Sequence, residues 1–205
     1  MESATINPAT LRDLEVLASR GIADGFYLAG GTGLAMHFGH RESHDLDFFC
    51  GEPFGEDALI KNLAAAGLFA VEKKENGTVR GTFRDTLISF FYYPYPLLGE
   101  SVPAFGVAVA SVQDIACMKL DAMASRGAKR DFVDLFIIIH QAGLSLPHLL
   151  GLFAKKYAAV DYNLMHVKKG LVYFVDAEQE PMPLMSDPVA WDVIKEFFLA
   201  EAQKL

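Results

Sequence analysis

The sequence predicts an α+β fold in which an α/β half is followed by a helical half. Three observations predict it. Up to Gly67, residues with helical apolar spacing alternate with short apolar runs broken by glycine. Between Val71 and Tyr93, turn residues at Asn76-Gly77 and near Asp85 cut the chain into strand-length pieces. From Ser111 onward the pattern is helical only. The prolines from Pro94 to Pro103 mark the change, so the expected division is a sheet-bearing core over 1–105 and a helical part over 106–205, packed together as one compact unit.

Taken in order, Leu11, Leu14 and Leu17 give an amphipathic helix from Pro8 to about Gly21, with Thr10 as its cap. Phe26 to Ala29 is a short buried strand. Gly30 and Gly31 break it, and Thr32 caps a second helix running to about His40. Asp45 to Cys50 is a second strand, and ALIKNLAAAG is a helix stopped by Gly67. After the turn-punctuated strands, Ser111 and Asp114 form a capping box for a helix to about Ser125, interrupted by Gly127. Lys129 to about Gln141 is a further helix, Pro147 opens another carrying Leu149, Leu150 and Phe153, and the tail with Trp191 is one more.

At 205 residues the chain can bury an ordinary core, and 52% hydrophobic with 21% charged residues places it far from disorder. No run approaches the roughly 18 apolar residues of a membrane span, and the N-terminal residues lack the pattern of a secretory leader, so a cytoplasmic location and no membrane partner are expected. Cys50 and Cys117 fit neither a zinc spacing nor a disulfide framework and read as reduced core thiols. A formal charge of −8 argues against broad coating of nucleic acid, although Lys155-Lys156 and Lys168-Lys169 can line one face of the helical half.

The stretch GGTGLAMHFGHRESHDLDFF carries the chemistry. Side chains alternate along a strand, so Asp45 and Asp47 point one way while Leu46 and Phe48 point into the core. Two carboxylates on one face make half a cage for a hard divalent cation. Gly30 and Gly31 at a helix start let a triphosphate approach the backbone N–H groups, and the Thr32 hydroxyl adds a donor. Strand, glycine turn, helix and acidic strand together form a device for a metal nucleotide. The same residues also fit a tight turn followed by the wet face of an edge strand. A dinucleotide fingerprint fails at Met36, where its third glycine belongs, and a P-loop fails because no lysine lies between Gly30 and Arg41. His37, His40 and His44 match no standard zinc ligand set.

Gly30-Gly31-Thr32, then Arg41-x-Ser43-x-Asp45-x-Asp47, and about seventy residues later Lys119 with Arg126-x-x-x-Arg130-Asp131-x-x-Asp134-Leu135, resemble the AbiEii/AbiGii abortive-infection toxins, nucleotidyltransferases of the DNA polymerase β-like superfamily. The resemblance implies a small mixed β-sheet nucleotidyltransferase core with helices, followed by a helical C-terminal part. It also implies transfer of a nucleoside monophosphate from an NTP to an acceptor hydroxyl, the 3′ end of tRNA, by the toxin of a toxin–antitoxin or abortive-infection system with a cognate antitoxin. Carried over, Asp45 and Asp47 hold Mg²⁺ (or Mn²⁺) and are catalytic with Lys119 and Asp131. Gly30, Gly31, Thr32, Arg41, Ser43 and Arg130 bind the nucleotide.

Read physically, Lys119 is an ammonium able to neutralise the triphosphate, Arg126 and Arg130 share a face if the helix runs through Gly127, and Asp134 reads as one of a set of surface i,i+4 charges. The superfamily brings a third acidic residue from a neighbouring strand, where TLISFFYY offers Ser89. Either that ligand is absent, or Asp131 replaces it, or the site binds nucleotide without turning it over. Transfer to a protein or small-molecule hydroxyl, or a non-catalytic nucleotide-binding module, are the alternatives.

Overall fold

Leu14 and Leu17, one helical turn apart, are both fully buried, as the spacing of the first helix requires. In the computed structural model, which describes residues 5–205, the chain divides into two compact units, Met1–Ser111 and Val112–Leu205. Helix α1 (Pro8–Ser19) is capped by Asn7, whose Oδ1 accepts from Ala9 N at 2.8 Å, and not by Thr10. Thr10 is buried and donates instead to His44 O at 2.8 Å. The proline at Pro8 already fixes the first turn, so the cap falls one residue before it.

The first unit holds a seven-stranded mixed sheet of order β3-β4-β5-β2-β1-β7-β6. Its strands are β1 (Tyr27–Leu28), β2 (Leu46–Cys50), β3 (Phe69–Glu75), β4 (Thr78–Phe83), β5 (Thr86–Tyr92), β6 (Val102–Ala104) and β7 (Val107–Val109). β3, β4 and β5 form an antiparallel meander through the two predicted turns, with Gly77 at φ 76° and Arg84 at φ 54°. β2 runs parallel to β5 and antiparallel to β1, and β1 runs parallel to β7.

The β6–β7 hairpin was not expected from the sequence. Each of its strands has three residues, and Pro103, which signalled a break, is tolerated because β6 is the sheet's edge, where a missing N–H leaves a ladder less disturbed. Phe105 and Gly106 turn it, both at positive φ.

One face of the sheet builds the core. Leu46 and Phe48 of β2, Val79 and Phe83 of β4, and Ile88 and Phe90 of β5 pack with Leu14 and Leu17 of α1 and with Leu59 and Leu63 of α3 (Glu56–Ala66). Side chains of this size contribute about 1.5–3 kcal/mol each when fully buried. α1 is also tied down by Asp13, which accepts from Thr86 Oγ1 at 2.7 Å. The helix α2 (Gly30–Phe38) lies between β1 and β2 in sequence, and its His37 shares a hydrogen bond of 2.8 Å with Ala110 O just beyond β7.

The second unit is helical: α4 (Val112–Ser125), α5 (Lys129–Ala142), α6 (Leu146–Lys156), α7 (Leu164–Gly170), α8 (Val175–Glu178) and α9 (Trp191–Ala202). The tail therefore holds three helices where the sequence suggested one. Gly143 ends α5 at φ 64°, and Ser145 caps α6. Phe132 of α5 is the hub, with Phe174, Trp191 and Phe198 at ring distances of 5.1, 5.7 and 5.5 Å. Among the described residues no single helix is long and apolar enough to cross a membrane.

Charged residues also sit inside this helical unit, one pair of them on α4 and α6. Lys156 of α6 and Asp114 of α4 are both essentially inaccessible, and Lys156 Nζ donates to Asp114 Oδ1 at 2.7 Å. Lys156 thus leaves the expected basic face of Lys155-Lys156. Nearby Cys117 is a free, buried thiol whose pKa burial pushes up to about 12, so it stays neutral. Removing one member of a buried pair strands the other charge. Lys156→Ala is expected to lower the unfolding free energy by about 3–5 kcal/mol, while Lys156→Met with Asp114→Leu recovers most of it. Urea denaturation of the three proteins checks this, and equal losses for the single and double variants would refute it.

Candidate nucleotide-transfer site

Ala29 stands at the N-cap of α2 and has no side chain able to cap it, so the first N–H groups of the helix lack intrahelical partners. Gly33 N closes the first turn on Ala29 O at 2.9 Å, which places Thr32 inside the helix and not at its cap. The turn needs its glycines. Gly30 has φ 64°, and a Cβ there would stand 2.7 Å from Asp47 Oδ2. A Cβ at Gly31 would overlap the Arg41 guanidinium and stand 3.2 Å from Ser43 Oγ. The helix start is therefore fitted against the carboxylate strand on one side and against a buried cation on the other.

Thr32 fastens this arrangement. It is 2% exposed; its hydroxyl donates to Asp45 O and lies 2.8 Å from Ser43 Oγ. A hydroxyl has one proton, so Ser43 is the donor of that second bond. Thr32 and Ser43, expected to meet phosphate, instead join α2 to the start of β2. Arg41 is 5% exposed and donates from Nη1 to Glu42 O at 2.9 Å, and its guanidinium lies beneath the backbone of the helix start at Gly31.

Asp45 and Asp47 are partly exposed, whereas Leu46 and Phe48 are fully buried, as strand alternation predicted. Ser89 of β5 lies directly opposite Asp47, and Arg80 of β4 directly opposite Ser89. Residues in register share a face, so Ser89 occupies the place expected of a third acid beside Asp47. Among the described residues no group of three His, Cys, Asp or Glu side chains is arranged to hold a metal. Two partly exposed carboxylates on one face still fit Mg²⁺, which fills its remaining positions with water and substrate phosphate oxygens.

In the helical unit Lys119 and Asp131 come together in an unexpected way. Lys119 of α4 is 5% exposed and is not a solvated lysine; its Nζ lies 2.8 Å from Asp131 Oδ1 and 2.6 Å from Asp134 Oδ2. Asp134, read from sequence as a surface charge, is fully buried. The run DFVDLFIII held the signal: its only polar positions are the two aspartates, so both belong to a face packed against a cation. Arg126 closes the network, with Nε to Asp131 Oδ2 at 2.9 Å and Nη2 to Asp131 Oδ1 at 3.0 Å. Arg126 and Arg130 do not share one helix, because Gly127 at φ 57° separates α4 from α5. Arg130 is exposed.

Burial is the largest single influence on Asp131 and raises its pKa, but the charges and hydrogen bonds of Lys119 and Arg126 outweigh it and hold the carboxyl below its ordinary range. A depressed folded-state pKa stabilises above the unfolded value of about 3.9 and loses that stabilisation as pH falls through the folded value. Asp131→Asn is therefore expected to flatten the fall in stability below about pH 4, seen in thermal melts across pH; an unchanged acid limb counts against it. At the glycine turn, Gly31→Ala should cost about 1–3 kcal/mol by displacing Arg41. That cost should shrink in an Arg41→Ala background, a coupling that a double-mutant cycle measures. Additive losses would dissociate the two residues.

The comparisons with known proteins bear on the fold and the family. The chain is 38% identical over 189 residues to aq_aa25 of Aquifex aeolicus (strain VF5), covering 90% of each protein. Its fold is similar to that of a Helicobacter pylori protein proposed to be a nucleotidyltransferase, with TM-score 0.58, 21% identity, and 97% and 95% of the two chains covered. JHP933 from Helicobacter pylori aligns with TM-score 0.56 at 19% identity over 97% of this chain and 92% of its own. The antibiotic-resistance factor ANT(2″)-Ia aligns with TM-score 0.52 at 15% identity over 77% of this chain and 96% of its own. Residues 12–85 and 82–204 match the family described as nucleotidyl transferase AbiEii toxin, type IV toxin–antitoxin system, and the chain belongs to that family.

Proposed function

We propose that the protein transfers a nucleoside monophosphate from an NTP to the 3′ hydroxyl of tRNA, with Mg²⁺ held by Asp45 and Asp47, as the toxin of a pair with a cognate antitoxin. The observation that carries this reading is the fit of the uncapped α2 start against the carboxylate strand, Gly30 meeting Asp47 where a side chain would not fit.

The chain's own groups divide the work. N–H groups at Gly30 and Gly31 bind phosphate oxygens, and the buried charge of Arg41 favours an anion there. Thr32 and Ser43 fix the distance between that cradle and Asp45. Asp45 and Asp47 would hold the cation, which when bound would neutralise charge on the phosphates and the departing pyrophosphate. Ser89 leaves room beside Asp47 without adding a third negative charge. Lys119, engaged by two carboxylates, acts as a positioning residue for Asp131 and through it Arg126, while exposed Arg130 supplies a cation for the nucleotide.

Incubation with each labelled NTP, Mg²⁺ and total RNA is expected to place label on the tRNA band, lengthened at its 3′ end. Asp47→Asn should abolish labelling, a fall of at least about 100-fold for loss of a group that stabilises charge in the transition state, with the fold retained in circular dichroism. A fully active Asp47→Asn protein would sink the catalytic reading. Label on protein or on a small molecule would replace the acceptor.

A further inference from the structure

A cavity of about 310 Å³ lies wholly within the helical unit, between the end of α4, the Gly127 turn and α7. Glycine shapes it. α4 and α7 approach so closely that a Cβ at Gly170 would stand 2.9 Å from Ala124 Cα, and Gly127 turns the chain away after α4. Into this space open Arg126, His166, Lys169, Tyr173 and Asp176.

Their chemistry is mixed in a particular way. Arg126 is half exposed but held from behind by its two bonds to Asp131, so its guanidinium is pre-positioned. His166 and Lys169, three apart on α7, share a face, and neither side chain has a hydrogen-bond or ion-pair partner among the described residues. Tyr173 is 50% exposed and offers a ring, and Asp176 offers a carboxylate. Cationic groups suit a phosphate, a free ring suits a base, and a carboxylate suits sugar hydroxyls. The remaining lining is mainly apolar, as in most small-molecule sites, and the volume is at the lower end of their usual range, about 300–1,000 Å³, enough for one nucleotide unit.

We propose that this cavity binds a single phosphorylated nucleoside, its phosphate on Arg126, His166 and Lys169, its base against Tyr173 and its ribose hydroxyls on Asp176. The choice of ligand rests on the transfer reading above; the location rests on the helical unit alone. Such a unit comes from a free mononucleotide or from an RNA strand, and one titration separates the two.

The Asp47→Asn protein in EDTA, with metal binding at the carboxylates removed, is titrated calorimetrically with AMP, with a 5′-phosphorylated trinucleotide RNA and with inorganic phosphate. Saturable binding of a nucleotide ligand, tighter than inorganic phosphate, is expected, and Lys169→Ala and Tyr173→Ala should each weaken it about tenfold or more. Tighter binding of the RNA identifies a strand as the source, and tighter binding of AMP a free nucleotide. No binding by either, affinity no better than that of phosphate, or affinity unchanged in both variants overturns the assignment. Labelling assays on the protein with Asp47 intact separate the two readings. Transfer without cavity binding removes this inference alone, and cavity binding without transfer removes the transfer reading alone.

Discussion

The hydroxyl of Thr32 ties the start of α2 to the backbone of Asp45, and the geometry of the first unit's site follows from that bond. A glycine turn is the most freely moving backbone in a chain, and two adjacent glycines lose more conformational entropy on folding than any other pair. Such a turn is useful to a phosphate only if it is held still. Ser43 donates to Thr32, Arg41 fills the space under Gly31, and Asp47 fills the space beside Gly30. The positive end of the helix and the two carboxylates are thus set at a fixed spacing, which supports binding an anion and a cation together.

The helical unit solves a different problem with the same residue types. Lys119, Asp131, Asp134 and Arg126 form two cations and two anions with no net charge, three of them buried. Such a network adds little to stability compared with an apolar core of equal volume, but it has only one well-satisfied arrangement. Its consequence is positional: Arg126 projects from the end of α4 with its side chain fixed by a carboxylate that is itself fixed. Lys156 with Asp114 repeats the device nearer the start of the same helix that carries Lys119. α4 is therefore held by ion pairs at both ends and by packing between them.

The strands of the meander, the acidic strand and most helices were legible because they rest on local rules: period, turn residues and glycine stops. The alternation of Leu46, Asp47 and Phe48 told which side chains turn out of the core, whereas Ser89 was singled out by the family resemblance, and only the structure gives the parallel register that sets it opposite Asp47. What escaped depends on tertiary context. Asn7 caps α1 because Pro8 fixes the turn after it, and Thr10 is drawn away by His44. Pro103 enters a strand only because that strand is an edge. Lys119 and Lys156 read as solvated lysines until a partner carboxylate arrives from another helix, 12 and 42 residues distant. A charged residue in an apolar helix carries a signal of burial, but the sequence alone does not name its partner.

On the transfer to tRNA proposed above, these buried pairs also bear on how an acidic protein would meet RNA. The chain has 18 lysines and arginines against 26 acidic residues, and Lys119 and Lys156 are buried against carboxylates. A buried, paired cation releases no counterions when a phosphate arrives, so it adds nothing to backbone affinity. The paired lysines therefore add nothing to a grip along a long duplex. In the proposed reading the contacts are local: in the first unit a helix start for a triphosphate and carboxylates for a metal, and in the second a small group of cations about a ring and a carboxylate. An acceptor recognised by few contacts must be recognised at an end, where one or two nucleotides are unstacked and open to a pocket. The charge balance thus agrees with the acceptor proposed above, a single-stranded terminus engaged at one point.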